Sequence, residues 1–116
     1  MAARLTEQER EYRKLTERQW LKVVEDLARA RGWRVFHPPD NQPVLRGQKL
    51  VVQRIGAGFP DLTLVRMGRL MFAELKREQG VVSDEQEQWL TELRHAGCEA
   101  YVWRPSQLTY VRALLQ

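Results

Sequence analysis

The chain has a single cysteine, Cys98. A lone thiol excludes an intramolecular disulfide and a cysteine-rich metal site, so any metal must be held by oxygen or histidine ligands. Histidine is scarce too, with only His37 and His95. No apolar run approaches the roughly 18 residues of a membrane span, and the charged N-terminus lacks the apolar core of a signal peptide. A cytoplasmic protein with no membrane partner is expected. Repeats and low-complexity tracts are missing, and no Ser, Cys or His constellation offers a covalent nucleophile.

What is present fits one domain. A chain of 116 residues can bury a single core, and 43% apolar with 29% charged residues is ordinary for a globular protein. The net charge of +4 is compatible with a polyanionic partner, although an excess of this size is common without one.

Hydrophobic periodicity predicts a helix that starts near Thr16. TERQ matches a capping box, and Trp20, Val23, Val24, Leu27 and Ala28 recur at helical spacing until Gly32. Residues 1–15 read as a charged extension, leaving 16–116 as the domain. WRVFH, 33–37, reads as a short strand. From Pro38 to Gly58 the chain is loop-like, with a basic and apolar piece, LRGQKLVVQRI, that has room for a short strand. DLTLVR and RLMFAELK form a β-hairpin signal joined through Met67 and Gly68. SDEQEQWLTELRHAG predicts a helix capped by Ser83, with Trp89, Leu90 and Leu93 inward, and closed by Gly97. EAYVW is a further strand, and Ser106 is expected to cap a last helix through Leu115. A helix between the hairpin and EAYVW implies a crossover, hence an α/β fold with a mixed sheet and helices packed on it.

The hairpin carries the chemistry. Strand alternation puts Leu70, Phe72, Glu74 and Lys76 on one face and Met71, Ala73 and Leu75 on the other, so the strand is apolar on both sides until Glu74. With the turn centred on Met67 and Gly68, Arg66 meets Arg69, Val65 meets Leu70, Thr63 meets Phe72 and Asp61 meets Glu74. Opposed carboxylates roughly 4.5 to 5.5 Å apart at Cβ are destabilising unless a cation lies between them. Mg²⁺ suits such a pair, and Lys76 stands beside it to hold a water or a phosphate oxygen. The register depends on the turn: Met-Gly is not a favoured two-residue hairpin turn, and a one-residue bulge turns one acid away. Read as ordinary surface chemistry, Glu74 and Lys76 are an ion pair at a strand end and Asp61 a turn residue after Pro60.

Pro60-Asp61 followed by Glu74-Leu75-Lys76 is similar to the signature of the PD-(D/E)XK nucleases. TERQWLKVVEDLARARGWRVFH, GAGFPDLTLVR, LMFAELKREQGVVSDEQEQWL and GCEAYVWRP, in that order, resemble the virus-type replication-repair nuclease (VRR-Nuc) family. The resemblance implies a PD-(D/E)XK fold, a central mixed β-sheet flanked by helices in an αβββαβ core. It implies Mg²⁺ or Mn²⁺ on Asp61, Glu74 and the backbone carbonyl of Leu75, with Lys76 orienting the attacking water and Glu17 and Gln86 completing the catalytic set. It further implies a homodimeric endonuclease acting on branched DNA such as Holliday junctions.

Competing roles accompany these residues. Glu17 lies in the first turn of a capped helix, where the dipole favours an acid in any case, and Glu25 is a rival beside Asp26. Gln86 is also the capping-box partner of Ser83, and the two roles are expected to exclude each other. His37 ends a strand in a structural or phosphate-contacting position, and His95 is a cation near a helix C-terminus. Arg46, Lys49 and Arg54 are candidate DNA phosphate contacts in the long loop. The other functional readings are a non-catalytic DNA-binding module of the same fold, or a nuclease for RNA or single-stranded ends.

Overall fold

A computed structural model describes residues 4–38, 43–52 and 56–116. Two helices open the chain. Helix α1, Glu7–Tyr12, is capped by Thr6, and α2, Glu17–Ala30, by Thr16; in both, the cap hydroxyl and the third helical residue satisfy each other's backbone N–H. Trp20, Val24 and Ala28 of α2 are fully buried at spacings of four, the stripe that one helical face presents to a core. Tyr12 and Leu15 pack against the same core.

Strand β1, Arg34–Phe36, leads to a separate two-stranded hairpin, β2, Pro43–Arg46, and β3, Lys49–Val52. The long loop therefore holds two paired strands rather than one. Strands β4, Leu62–Arg66, and β5, Arg69–Leu75, form the central hairpin, α3 spans Asp84–His95, and β6 spans Glu99–Trp103. The main sheet has the order β1-β4-β5-β6. Its first two pairings are antiparallel and β5 runs parallel to β6, so α3 is the crossover that a parallel pair requires.

The final helix departs from expectation. Residues Pro105–Gln107 form a 3₁₀ turn, and α4 begins only at Leu108, running to Leu115. Ser106 is not its cap. Its backbone N–H donates to Glu78 Oε2 at 3.0 Å, while Gln107 Oε1 accepts from the N–H of Arg104. The helix start is thus tied to the turn after β5.

One face of the sheet, with Leu62, Leu64, Met71, Ala73, Leu75 and Trp103, is buried beneath α2 and α4, which contributes Leu108, Val111 and Leu115. Trp20 Nε1 anchors α2 to the sheet by donating to the Trp103 carbonyl at 2.9 Å. The other face is covered only in part. Phe59 meets Phe72 and Trp89 edge to face, with centroids 5.7 and 5.0 Å apart, but Val65 and Leu70 near the hairpin turn stay 40% exposed. The two-sided cover read from the sequence therefore holds for the end of β5 that carries Glu74 and fails at the other end, beyond the reach of Phe59 and α3.

The hairpin register is the one counted from the turn: Arg66 pairs with Arg69, Val65 with Leu70 and Thr63 with Phe72, the last ladder pair being Leu62 with Ala73. Met67 has φ +49° and Gly68 φ +81°, the positive values that a type I′ turn needs at both central positions. A methionine in that region is strained, and Met67 is almost wholly exposed, so only the hairpin's own pairing holds it there.

Candidate active site

The residue before β4 is Asp61, and its partner in the continuing register is Glu74. They meet at the sheet end where α2 begins. One carboxylate oxygen each from Glu17, Asp61 and Glu74 lies within 4.8 Å of the others. The structure thus gathers the three acids singled out from the sequence, and Glu25 lies apart, pairing with Arg29 one turn along α2 at 3.5 Å.

Each acid is held differently. Asp61 Oδ2 accepts the N–H of Leu75 at 2.8 Å, which locks the carboxylate across the strand pair. Glu74 is 1% exposed. Its Oε1 accepts from Gln86 Nε2 at 2.9 Å, whereas its Oε2 is buried with no partner among the described residues. Glu17 is half exposed at the first position of α2 and pairs with Lys76 Nζ at 3.6 Å. Lys76, only 12% exposed, also lies 3.9 Å from Glu74 Oε1 and so bridges the two glutamates.

Gln86 corrects an expectation. Its capping and site roles operate together, because the two ends of an amide have opposite polarity. Its Oε1 accepts the N–H of Ser83 at 2.9 Å while its Nε2 donates to Glu74. The capping box therefore aims the amide into the site.

The electrostatics follow from this crowding. Burial, and secondarily the neighbouring Asp61, push the Glu74 carboxyl up to about 9, with Lys76 acting in the opposite direction. A buried carboxylate oxygen without a donor costs free energy, and it is repaid by a proton or by a metal ion. The donor set, three carboxylates with no sulfur or imidazole, is the hard oxygen chemistry that suits Mg²⁺ or Mn²⁺. Glu17, Asp61 and Glu74 therefore fit such an ion.

Backbone and packing contacts position the site from outside. The N–H of Lys76 donates to the Trp103 carbonyl at 3.0 Å. The turn after Lys76 is gripped by Arg104 Nη1, which donates to the carbonyls of Arg77, Glu78 and Gly80 at 3.0, 3.2 and 2.6 Å. On the other side, Gly58 has φ +86° and sits so close to α3 that a Cβ there would lie 2.6 Å from the Glu85 carbonyl carbon. Trp89 Nε1 donates to the Ala57 carbonyl at 3.1 Å. The GAGFPD stretch is thus pressed onto α3, which delivers Asp61 and Gln86 to one place.

The remaining candidates divide between the β2–β3 hairpin and the site. Arg46 and Lys49 face each other as the last pair of the β2–β3 hairpin and are exposed; Arg54 lies outside the described residues. His37 lies beside the acids, lining a cleft of about 190 Å³ with Glu17, Arg18, Leu21 and Asp61. Sequence reasoning passed over Arg18. Its signal was a cation at the second position of a helix, where the dipole disfavours positive charge.

A solved structure of a VRR_NUC domain protein superposes with a TM-score of 0.60 at 17% identity, covering 88% of this chain and 91% of that one. The likeness establishes the same fold, a mixed sheet flanked by helices, consistent with the PD-(D/E)XK fold expected from the sequence. No curated protein matches the chain. The family model for the VRR-NUC domain matches residues 7–107, and the chain therefore belongs to the VRR-NUC family, whose character is that of a nuclease.

Proposed function

We propose that this protein is a divalent-metal-dependent endonuclease that hydrolyses DNA phosphodiester bonds. The observation that carries this reading is the buried, partnerless Oε2 of Glu74 among the converging carboxylates of Glu17 and Asp61, with Lys76 alongside. A bound Mg²⁺ or Mn²⁺ would supply Lewis-acid stabilisation of the phosphate and a more acidic water.

The chain's own groups do the rest. Gln86 holds one oxygen of Glu74 and Leu75 N–H one oxygen of Asp61, which leaves the second oxygen of each free to face a cation. The Leu75 carbonyl is the proposed further ligand. Lys76 Nζ, kept in place between two glutamates, is set to orient the attacking water and to offset negative charge that builds on the phosphate. Glu17, the most exposed of the acids, is suited to exchange partners between Lys76 and the cation.

The resemblance to small members of the family extends the reading to branched DNA such as four-way junctions and to a homodimer. One site cuts one strand, so paired incisions need two copies. The side chains of Phe36, Val65 and Leu70, exposed on a single face of the sheet, offer a second copy an apolar surface.

The test is cleavage of linear, flapped and four-way-junction DNA, and of matched RNA, with Mg²⁺, with Mn²⁺ and with chelator, alongside a mass measurement in solution. Metal-dependent incision that disappears in Asp61→Asn is expected. Equal cutting by wild type and Asp61→Asn sinks the reading, and metal-independent binding without cleavage of any substrate points instead to a DNA-binding module.

A further inference from the structure

We infer that Arg18 and His37 form a subsite for a backbone phosphate of the nucleic acid, next to the scissile one, in the cleft they share with Glu17 and Asp61. This inference rests on the nuclease reading for its substrate, and on the cleft itself for its chemistry.

The cleft has two kinds of wall. Glu17 and Asp61 supply carboxylates with one oxygen each engaged, by Lys76 Nζ and by the N–H of Leu75, the other oxygens being those a bound cation would take and neutralise. Arg18 and His37 supply nitrogen donors, and among the described residues neither side chain makes a hydrogen bond or an ion pair. Leu21 adds an apolar side chain to the lining. A guanidinium and an imidazole N–H bordering one small cleft are the donors that phosphate recognition uses.

Placement on the helix argues in the same direction. Arg18 is the second residue of α2, at the positive end of the helix dipole. A cation there is locally unfavourable, and an anion in the cleft offsets that cost by attracting both the guanidinium and the helix N-terminus. His37 arrives from the other side, one residue beyond the end of β1. The two residues therefore come from different elements and meet only through the fold. A larger depression along α3 is lined by Asp84, Glu87 and Glu92 with Gln88 and Thr91, and its charge would repel a polyanion, which disfavours approach from that side.

Binding of duplex DNA in Ca²⁺, measured by anisotropy over a series of salt concentrations, tests this for the full chain. Arg18→Ala is expected to weaken binding about tenfold or more and to reduce the slope of log Kd against log salt by about 1, the signature of one lost phosphate contact. His37→Ala is expected to weaken binding less, Arg18→Lys to keep the slope, and His37→Gln to recover part of the affinity. Mn²⁺ affinity without DNA, by calorimetry, and the melting temperature are expected to stay at wild-type values. Wild-type affinity and slope in both alanine variants overturn the subsite. A binding loss that tracks a loss of Mn²⁺ affinity or of melting temperature also overturns it, since the effect then passes through Glu17 and Asp61. The nuclease reading fails by a different result, absence of metal-dependent cleavage by wild type, which this binding series does not require.

Discussion

Glu74 and Glu99 stand on neighbouring strands of one sheet, each with a cation nearby, and they end in opposite states. Glu99 opens β6 at the hairpin end. Arg69 donates to both of its oxygens at 2.8 Å, and Tyr101 Oη donates to one of them at 2.6 Å. These donors hold its carboxyl down to about 2, while burial, and secondarily the carboxylate itself, push the Tyr101 hydroxyl up to about 12. Glu74, at the other end, has one oxygen satisfied and one left bare, and burial pushes it up to about 9. A carboxylate with donors on both oxygens belongs to the architecture. One kept buried and incomplete is costly to the apo fold, and such groups gather where a ligand completes them.

The largest expected effect comes from removing a member of the incomplete site. Asp61→Asn or Lys76→Ala is expected to lower single-turnover cleavage by at least about 10²-fold, with the circular dichroism spectrum unchanged. Retention of the wild-type rate by either would place Glu74 with Glu99 as a structural group.

Next in size is Gly58→Ala. A Cβ 2.6 Å from Glu85, at φ +86°, has to push the GAGFPD turn off α3. A loss of about 1–3 kcal/mol in urea unfolding is expected, together with reduced cleavage, because Asp61 and Gln86 then part.

The two glutamates also give opposite pH responses. Glu74 holds a proton in the folded protein that the unfolded chain releases near pH 4.5, so its contribution to stability is largest below 4.5 and falls as pH rises toward about 9. Added Mn²⁺ binds the ionised form, and its stabilisation in thermal melts is expected to grow over that same interval. Glu74→Gln removes the buried charge, and without metal it is expected to raise the melting temperature at pH 9 by at least about 4 °C while abolishing cleavage. Glu99 contributes stability that is complete above pH 4.5 and is lost as pH falls toward about 2.

The smallest effect is that of Glu99→Gln. The Arg69 pair is partly solvated, so a cost of about 1 kcal/mol or less is expected, with unchanged cleavage. A large loss of activity there would erase the distinction between the two carboxylates.

Much of this was legible from residue order. The capping boxes at Thr16 and Ser83, the α2 stripe through Trp20, Val24 and Ala28, and the hairpin register around Met67 and Gly68 are local patterns, set by dihedral preference and by a side-chain period of 3.6 or 2. Asp61 facing Glu74 follows from that register by counting. The second hairpin went unseen because a basic, loop-like segment has no alternating pattern to mark it. The late start of α4 went unseen because Ser106, a good cap by type, lies inside the 3₁₀ turn Pro105–Gln107, which is tied by its N–H to Glu78, nearly thirty residues earlier. Arg18 went unnoticed because nothing along the chain links it to His37, which reaches the same cleft only once β1 is laid beside β4.

Local order by itself therefore determined the helices α2 and α3, the strands of the main sheet, the pairing of the two hairpin acids and the family signature, since each depends on neighbours along the chain or on a tight turn. Only the tertiary structure decided that Glu74 keeps an oxygen unpartnered among the described residues, that Gln86 serves Ser83 and Glu74 at once, and that Arg18 and His37 border one cleft. The reason is that burial and unsatisfied valence are properties of what surrounds a group on all sides, and those surroundings come from segments that sequence spacing does not bring together.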